Sequence, residues 1–212
     1  MIVYFEQKIK TILILLSLLV FILTSCAPTQ DAYFDDFSDK GTHWPQSEDD
    51  SGLTNYEKGE YRIRVDKPSM YLWGLAGKEY SNVRIEVQID TKFAVEGGEA
   101  GIICRYQNPN SFYFFVIRPD GYYSAHKMDD GKNQIMYFEK DGAINIGESE
   151  NIMKIECVED KLRMYVNEEL ILEIQEGEYK RGDVGLIAGT NNTSGMDVSF
   201  DNLWVQVVLE DE

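Results

Sequence analysis

The side chains able to do chemistry here are mainly carboxylates: 37 Asp and Glu stand against 20 Lys and Arg, with two histidines and three cysteines in 212 residues. A pair of carboxyl groups hydrolyses a glycosidic bond when the two sit roughly 5–9.5 Å apart. Glu86 and Asp90 share one face of an alternating stretch, but four residues at about 3.3 Å each put them about 13 Å apart. Glu169 and Glu173 fail in the same way. Glu148 with Glu150, and Glu176 with Glu178, lie in turn-like polar surroundings with nothing to raise a pKa, and read as a solvated face. Neither His43 nor His126 belongs to a metal-ligand spacing. No catalytic set is visible, so enzymatic activity stays open and binding is the leading reading.

Recognition chemistry has a better address. Segments 100–106, 112–118 and 122–128 are strand-like and are joined by Asn108-Pro109-Asn110 and Pro119-Asp120-Gly121. A three-residue turn closed by a glycine bulge pairs Tyr113 with Lys127 and Phe115 with Ala125. If the first hairpin pairs Arg105 with Tyr113, then Ile102, Cys104, Phe114 and Val116 face the core. Arg105, Tyr113, Phe115, Tyr123 and Lys127 then form a row of flat aromatic surface with two cations, suited to a sugar or an acidic glycan. A slip of one residue swaps the faces and brings His126 outward in place of Lys127. The alternative is a strand buried on both sides, with Arg105 held by a carboxylate. Trp44, in the polar loop 41–50, and Trp73, near Gly74, are further stacking candidates or else lids on the core, whereas Trp204 reads as structural.

The elements that must position these groups are strands. Val83-Arg84-Ile85-Glu86-Val87-Gln88-Ile89-Asp90 alternates strictly, the mark of a half-buried antiparallel strand. Further strands read at 61–65, 152–158, 161–166, 169–175, 184–188 and 196–209, with turn signals between them and no long helical periodicity after the leader. Cys104 and Cys157 each sit in phase with an apolar neighbour and face the core. They form a disulfide if their Cα atoms come within about 7 Å, or remain buried free thiols.

Three stretches carry a resemblance. KIECVEDKLRMYVNEELILEI, RGDVGLIAG and VSFDNLWV resemble the closing strands of concanavalin A-like lectin/glucanase jelly rolls, including laminin-G-like and 3-keto-disaccharide hydrolase-like domains. EAGIICRY is similar to the strand that in the hydrolase-like group usually reads Asn-Ser-Gly-Ile followed two residues on by Arg. The resemblance implies an all-β, two-sheet antiparallel jelly-roll sandwich. The glucanases of this superfold carry Glu-x-Asp-x-x-Glu on one strand, and that string does not occur here. The hairpin at Val166-Asn167-Glu168-Glu169 has Glu168 where glycine is usual. A two-residue turn of this kind wants positive φ at both centres, which costs a non-glycine residue about 1 kcal/mol.

Jelly rolls pair their terminal strands, which raises a calcium possibility. The apolar phase shifts between Phe200 and Leu203, implying a β-bulge at Asp201-Asn202. Asp35 or Asp36 then approach Asp201 and, with backbone carbonyls, supply an oxygen-rich shell. The alternative is that these aspartates serve turns and edge protection.

The chain opens with Lys8 and Lys10, the apolar run 12–23, and Leu23-Thr24-Ser25-Cys26. A bilayer-spanning helix takes about 20 residues, so the run is short for a span and a retained anchor is the lesser reading. The last four residues resemble the lipobox of bacterial lipoproteins, whose cysteine is acylated and becomes the mature N-terminus. The resemblance implies a signal peptide over 1–25, a lipidated tether over 26–31 and a sandwich over 32–212. A plain secretory peptide is the alternative. Acyl chains on Cys26 would hold the protein on the outer face of a bacterial membrane, at the cell surface or on the periplasmic side. A net charge of −17 sets nucleic acid aside, since nucleic-acid binding rests on cations that neutralise phosphates. The expectation is a membrane-anchored extracytoplasmic lipoprotein that recognises glycan or cell-envelope material without catalysis. An oligosaccharide-acting hydrolase and a structural subunit that binds a protein partner are the alternatives.

Overall fold

The computed structural model describes residues 32–209. The leader, Cys26 and the tether 26–31 lie outside the described residues, as do 210–212. The strands are β1 (Ala32–Asp35), β2 (Ser47–Asp49), β3 (Gly52–Glu57), β4 (Glu60–Val65), β5 (Met70–Tyr80), β6 (Val83–Phe93), β7 (Glu99–Asn108), β8 (Ser111–Ile117), β9 (Tyr122–Asp129), β10 (Lys132–Lys140), β11 (Glu150–Val158), β12 (Lys161–Val166), β13 (Glu169–Gln175), β14 (Gly182–Thr190) and β15 (Met196–Val207). They form a nine-stranded sheet ordered β13-β12-β11-β6-β15-β4-β3-β2, with β1 also on β15, and a six-stranded sheet ordered β10-β9-β8-β7-β14-β5. The fold is the expected all-β antiparallel jelly-roll sandwich.

Alternation explains which residues line the core. Along β6, Val83, Ile85, Val87 and Ile89 are buried while Arg84, Glu86, Gln88 and Asp90 stand on the other face. Each fully buried residue of this kind contributes about 1.5–3 kcal/mol. The six-stranded sheet answers with Ala100, Ile102, Phe115, Ile117, Ala125, Leu186 and Ala188. Cys104 on β7 and Cys157 on β11 are bonded as a disulfide with their Cα atoms 6.8 Å apart, tying one sheet to the other. Asn167 and Glu168 both take positive φ, 49° and 74°, in the β12–β13 turn.

β15 has a different partner at each end. Its first half, Met196–Phe200, pairs with β4, and its second half, Leu203–Gln206, pairs with β1. The two halves are separated by the bulge expected at Asp201-Asn202, where Asn202 has φ 52°. The strands missed by periodicity, β1, β2, β3, β10 and most of β5, are those at or near sheet edges. The β10 residues are mostly exposed and show no clean alternation.

Two sequence expectations fail at this end of the sandwich. Trp44 is 2 % exposed, not a surface platform. It packs with Phe37 and Tyr61 at ring-centroid distances of 5.4 and 5.2 Å, because an otherwise polar loop folds this one apolar side chain into the open end of the core. Asp35 is buried and its oxygens are in use: Oδ1 accepts from Phe37 N at 2.8 Å, and Oδ2 from Tyr33 Oη at 2.7 Å and Trp44 Nε1 at 3.0 Å. Asp36 accepts from Ser38, and Asp201 accepts from Asn202. The three aspartates are therefore turn and loop anchors, and among the described residues no group of three or more His, Cys, Asp or Glu is placed to hold a metal.

Candidate functional site

The faces of the six-stranded sheet follow from one register. β8 and β9 pair as expected, Tyr113 with Lys127 and Phe115 with Ala125. The β7–β8 hairpin does not: Cys104, not Arg105, stands opposite Tyr113. Arg105 has φ 53°, and residues 105–107 face Phe112 alone, a bulge that absorbs the extra length. Cross-strand partners share a face, so this slip of one residue inverts the expected sides of β8 and β9, while Ile102 and Cys104 on β7 stay in the core as expected.

The expected ligand row is accordingly inside. Tyr113, Phe115 and Tyr123 are at most 2 % exposed and belong to the core between the sheets. Tyr113 Oη donates to Glu176 at 2.9 Å and accepts from Tyr179 N, and Tyr123 Oη donates to Ile171 O at 2.8 Å. Burial pushes both phenols up. Arg105 is 1 % exposed and donates to the carbonyls of Ser81 and Tyr179, at 3.3 and 2.9 Å. Burial lowers its pKa, and its Nη2 has no partner among the described residues. Lys127 buries its stem and pairs with Glu178. These groups hold the segment 176–181 against the sheet and do not form a ligand platform.

Among the described residues, no second sheet covers the opposite face. Ile103, Phe112, Phe114, Val116 and Ile187 form an apolar cluster there, flanked by the partly exposed Tyr71, Trp73, Leu75, Tyr106 and Met128. Of the expected recognition residues only Trp73 lies on this side, 5.9 Å from Phe112 ring to ring. Within the aromatic floor sit polar groups that periodicity passed over. Tyr71 Oη donates to Glu99, a carboxyl only 3 % exposed. Tyr71 on β5 reaches Glu99 on β7 by lying across β14, where a Cβ at Gly189 would come within 2.4 Å of the ring. His126 stacks on Phe114 at 4.3 Å and 10°, with Ser124 Oγ at 2.7 Å and Asn133 Oδ1 at 2.9 Å from its ring nitrogens.

Burial sets the electrostatics of this face. Desolvation raises the Glu99 carboxyl, against the opposing pull of the Tyr71 hydrogen bond and the Arg118 charge. Desolvation also lowers His126 to about 4, so the imidazole is neutral at physiological pH. Arg118 lies opposite Tyr122, 5.5 Å from that ring, and pairs with Asp120 at 2.7 Å. Beyond it opens a polar depression of about 360 Å³ lined by Glu96, Gly97, Arg118, Asn191, Asn192 and Thr193. Its loops are pinned by Asn191 N donating to Gly97 O at 3.1 Å and Gly98 N to Val95 O at 3.0 Å. The result is an aromatic floor with convergent polar groups and an adjoining polar recess, the composition of a small-ligand site. The sequence signal was present in Gly189, whose missing side chain makes room for the Tyr71 ring, and in the alternative register that turned His126 outward.

No protein-family model and no curated protein matches the sequence. By fold the chain is similar to the carbohydrate-binding module CBM66 from Bacillus subtilis, with a TM-score of 0.63 and 16% identity over 77% of this chain and 94% of that one. It is also similar to a galectin-like protein of unknown function from Bacillus subtilis, with a TM-score of 0.64 and 9% identity over 84% and 96%. A third likeness is to a glycosidic hydrolase, with a TM-score of 0.63 and 10% identity over 85% and 96%. The chain thus has the jelly-roll fold found in galectin-like proteins, carbohydrate-binding modules and glycosidic hydrolases. At these identities the likeness extends to fold, and function has to be argued from the site.

Proposed function

We propose that this protein recognises a neutral glycan on the outer face of its six-stranded sheet and is held at a bacterial membrane by lipid on Cys26. The observation that carries the reading is the combination on that face of partly exposed aromatic rings, Tyr71 and Trp73, with the adjoining polar recess lined by Glu96, Arg118, Asn191, Asn192 and Thr193. Flat apolar surface takes the carbon–hydrogen face of a sugar ring, while fixed donors and acceptors select its hydroxyls. A strongly acidic glycan is disfavoured, since the chain carries −17 and the cations of the expected row, Arg105 and Lys127, are turned inward. Non-catalytic binding is preferred to hydrolysis. Hydrolysis requires two cooperating carboxyl groups, whereas Glu99 engages Tyr71 and the neighbouring Asp120 is paired with Arg118.

The test is an array of neutral oligosaccharides probed with the full chain in detergent. Trp73→Ala and Tyr71→Phe are expected to weaken the retained ligand about tenfold or more. A ligand bound equally by all variants would place recognition elsewhere, and sugar turnover abolished by Glu99→Gln would make the protein an enzyme. Anchoring is checked separately by incorporation of a palmitate analogue, expected to disappear in Cys26→Ser.

A further inference from the structure

The nine-stranded sheet also exposes an aromatic pair on its outer side. Trp204, expected from its surroundings to be structural, is 44 % exposed, as is Phe34. The two rings lie 4.5 Å apart on paired residues of β15 and β1. The cause is the β15 bulge: after it Leu203 and Val205 point into the core, at 1 and 0 % exposure, and Trp204 between them must point out. Trp204 forms one wall of a cleft of about 260 Å³ completed by Arg84, Glu86 and Gln206. Glu86 stands directly opposite Trp204 and Arg84 opposite Gln206 in the β6–β15 ladder.

Hydrogen-bonding capacity remains free in that cleft. Among the described residues Arg84 engages only through Nε, on Glu156 at 2.8 Å, which leaves both terminal nitrogens as donors to a ligand. The Glu86 carboxylate and the Gln206 amide make no hydrogen bond to another described residue. An indole beside one cation, one anion and one amide offers an apolar face and both senses of hydrogen bond, with no net charge among the three. We infer that this cleft is a second sugar-binding site, taking one unit of a neutral glycan stacked on Trp204, on the side of the molecule opposite the first.

Other occupants fit less well. An anionic bilayer is repelled by Glu86 and by a chain of net charge −17. A stable protein interface buries more than about 1,000 Å² in total, and two half-exposed rings in a charged surround do not approach that. The Trp204 cleft stands independently of the reading of the opposite face, and the two are separable by mutation.

The experiment uses the full chain in detergent on an array of neutral tri- to hexasaccharides. Trp204→Ala should weaken at least one retained sugar about tenfold. Trp204→Phe should keep most of that binding, and Gln206→Ala should lose part of it. The Trp204 dependence should persist in a Trp73→Ala background. Thermal melts of the variants should stay close to that of the parent, because these side chains are partly exposed. A blank array, or an array on which no sugar responds to Trp204→Ala or Gln206→Ala, overturns the inference. So does a Trp204→Ala defect confined to binding of anionic phospholipid vesicles.

Discussion

Strand β8 shows the same chemistry twice, on opposite sides. Its inward residues are Tyr113, Phe115 and Ile117, and its outward residues are Phe112, Phe114 and Val116; all six are at most 5 % exposed. What differs is the cover. Inside, the second sheet and the segment 176–181 close over the rings, and the hydroxyls of Tyr113 and of its β9 neighbour Tyr123 bond to those layers. Outside, burial among the described residues comes from side chains leaning sideways, Tyr71 and His126 over Phe114, and Tyr106 and Trp73 over Phe112. Polar groups are tolerated there because they satisfy one another along the face, and the groups at its edge remain available to a ligand. A face that is buried laterally can serve as a binding floor, and one buried by a second layer cannot.

The sharpest way to break this contrast is to remove one ring from each side. Phe115→Ala encloses a void between two sheets and should cost about 3–5 kcal/mol in urea unfolding. Phe114→Ala opens a gap that water can enter, so its cost should be clearly smaller; equal costs would mean that the outer face is sealed as firmly as the inner. Replacing both Cys104 and Cys157 by Ser removes the tie between sheets across a sequence separation of 53. The expected loss is about 2–4 kcal/mol, with the proposed sugar binding on the outer face retained at temperatures where the variant stays folded.

Acid, read as the difference between the parent and a His126 variant, probes one group on the outer face. His126 is lowered from 6.5 to about 4 by burial, so between those values the unfolded chain binds the extra proton and the native state does not. Stability contributed by the neutral ring is therefore present above pH 6.5 and is lost as pH falls toward 4, on the order of 3 kcal/mol in all. His126→Gln should flatten that part of the urea-midpoint profile between pH 7 and 4; an unchanged slope would show that the ring is not shielded. The smallest change touches neither face. Glu168→Gly relieves positive φ in the β12–β13 turn and should stabilise by about 1 kcal/mol, with binding unaffected.

Strands with one wet face were legible from sequence because alternation reports burial directly, as β6 illustrates with its apolar and charged rows. The type I′ geometry at Asn167-Glu168 and the β15 bulge were also readable, since turn length and a break in apolar phase are local signals. The meander β7–β9 was not, for a definite reason. When both sides of a strand are apolar, alternation carries no sign, and a single bulge at Arg105 is enough to exchange them. Trp44 and Trp204 exchanged roles likewise: a polar loop folded one indole inward, and a phase shift turned the other outward.

By itself, then, the amino-acid order determined that the chain forms antiparallel strands and where most of them turn, because backbone pairing and side-chain alternation act over a few residues. Which aromatic face is covered, where Glu99 meets Tyr71, and which tryptophan reaches solvent were decided only by tertiary structure. Those outcomes depend on register and on layers contributed by segments distant in the chain, whose burial energy outweighs any local preference.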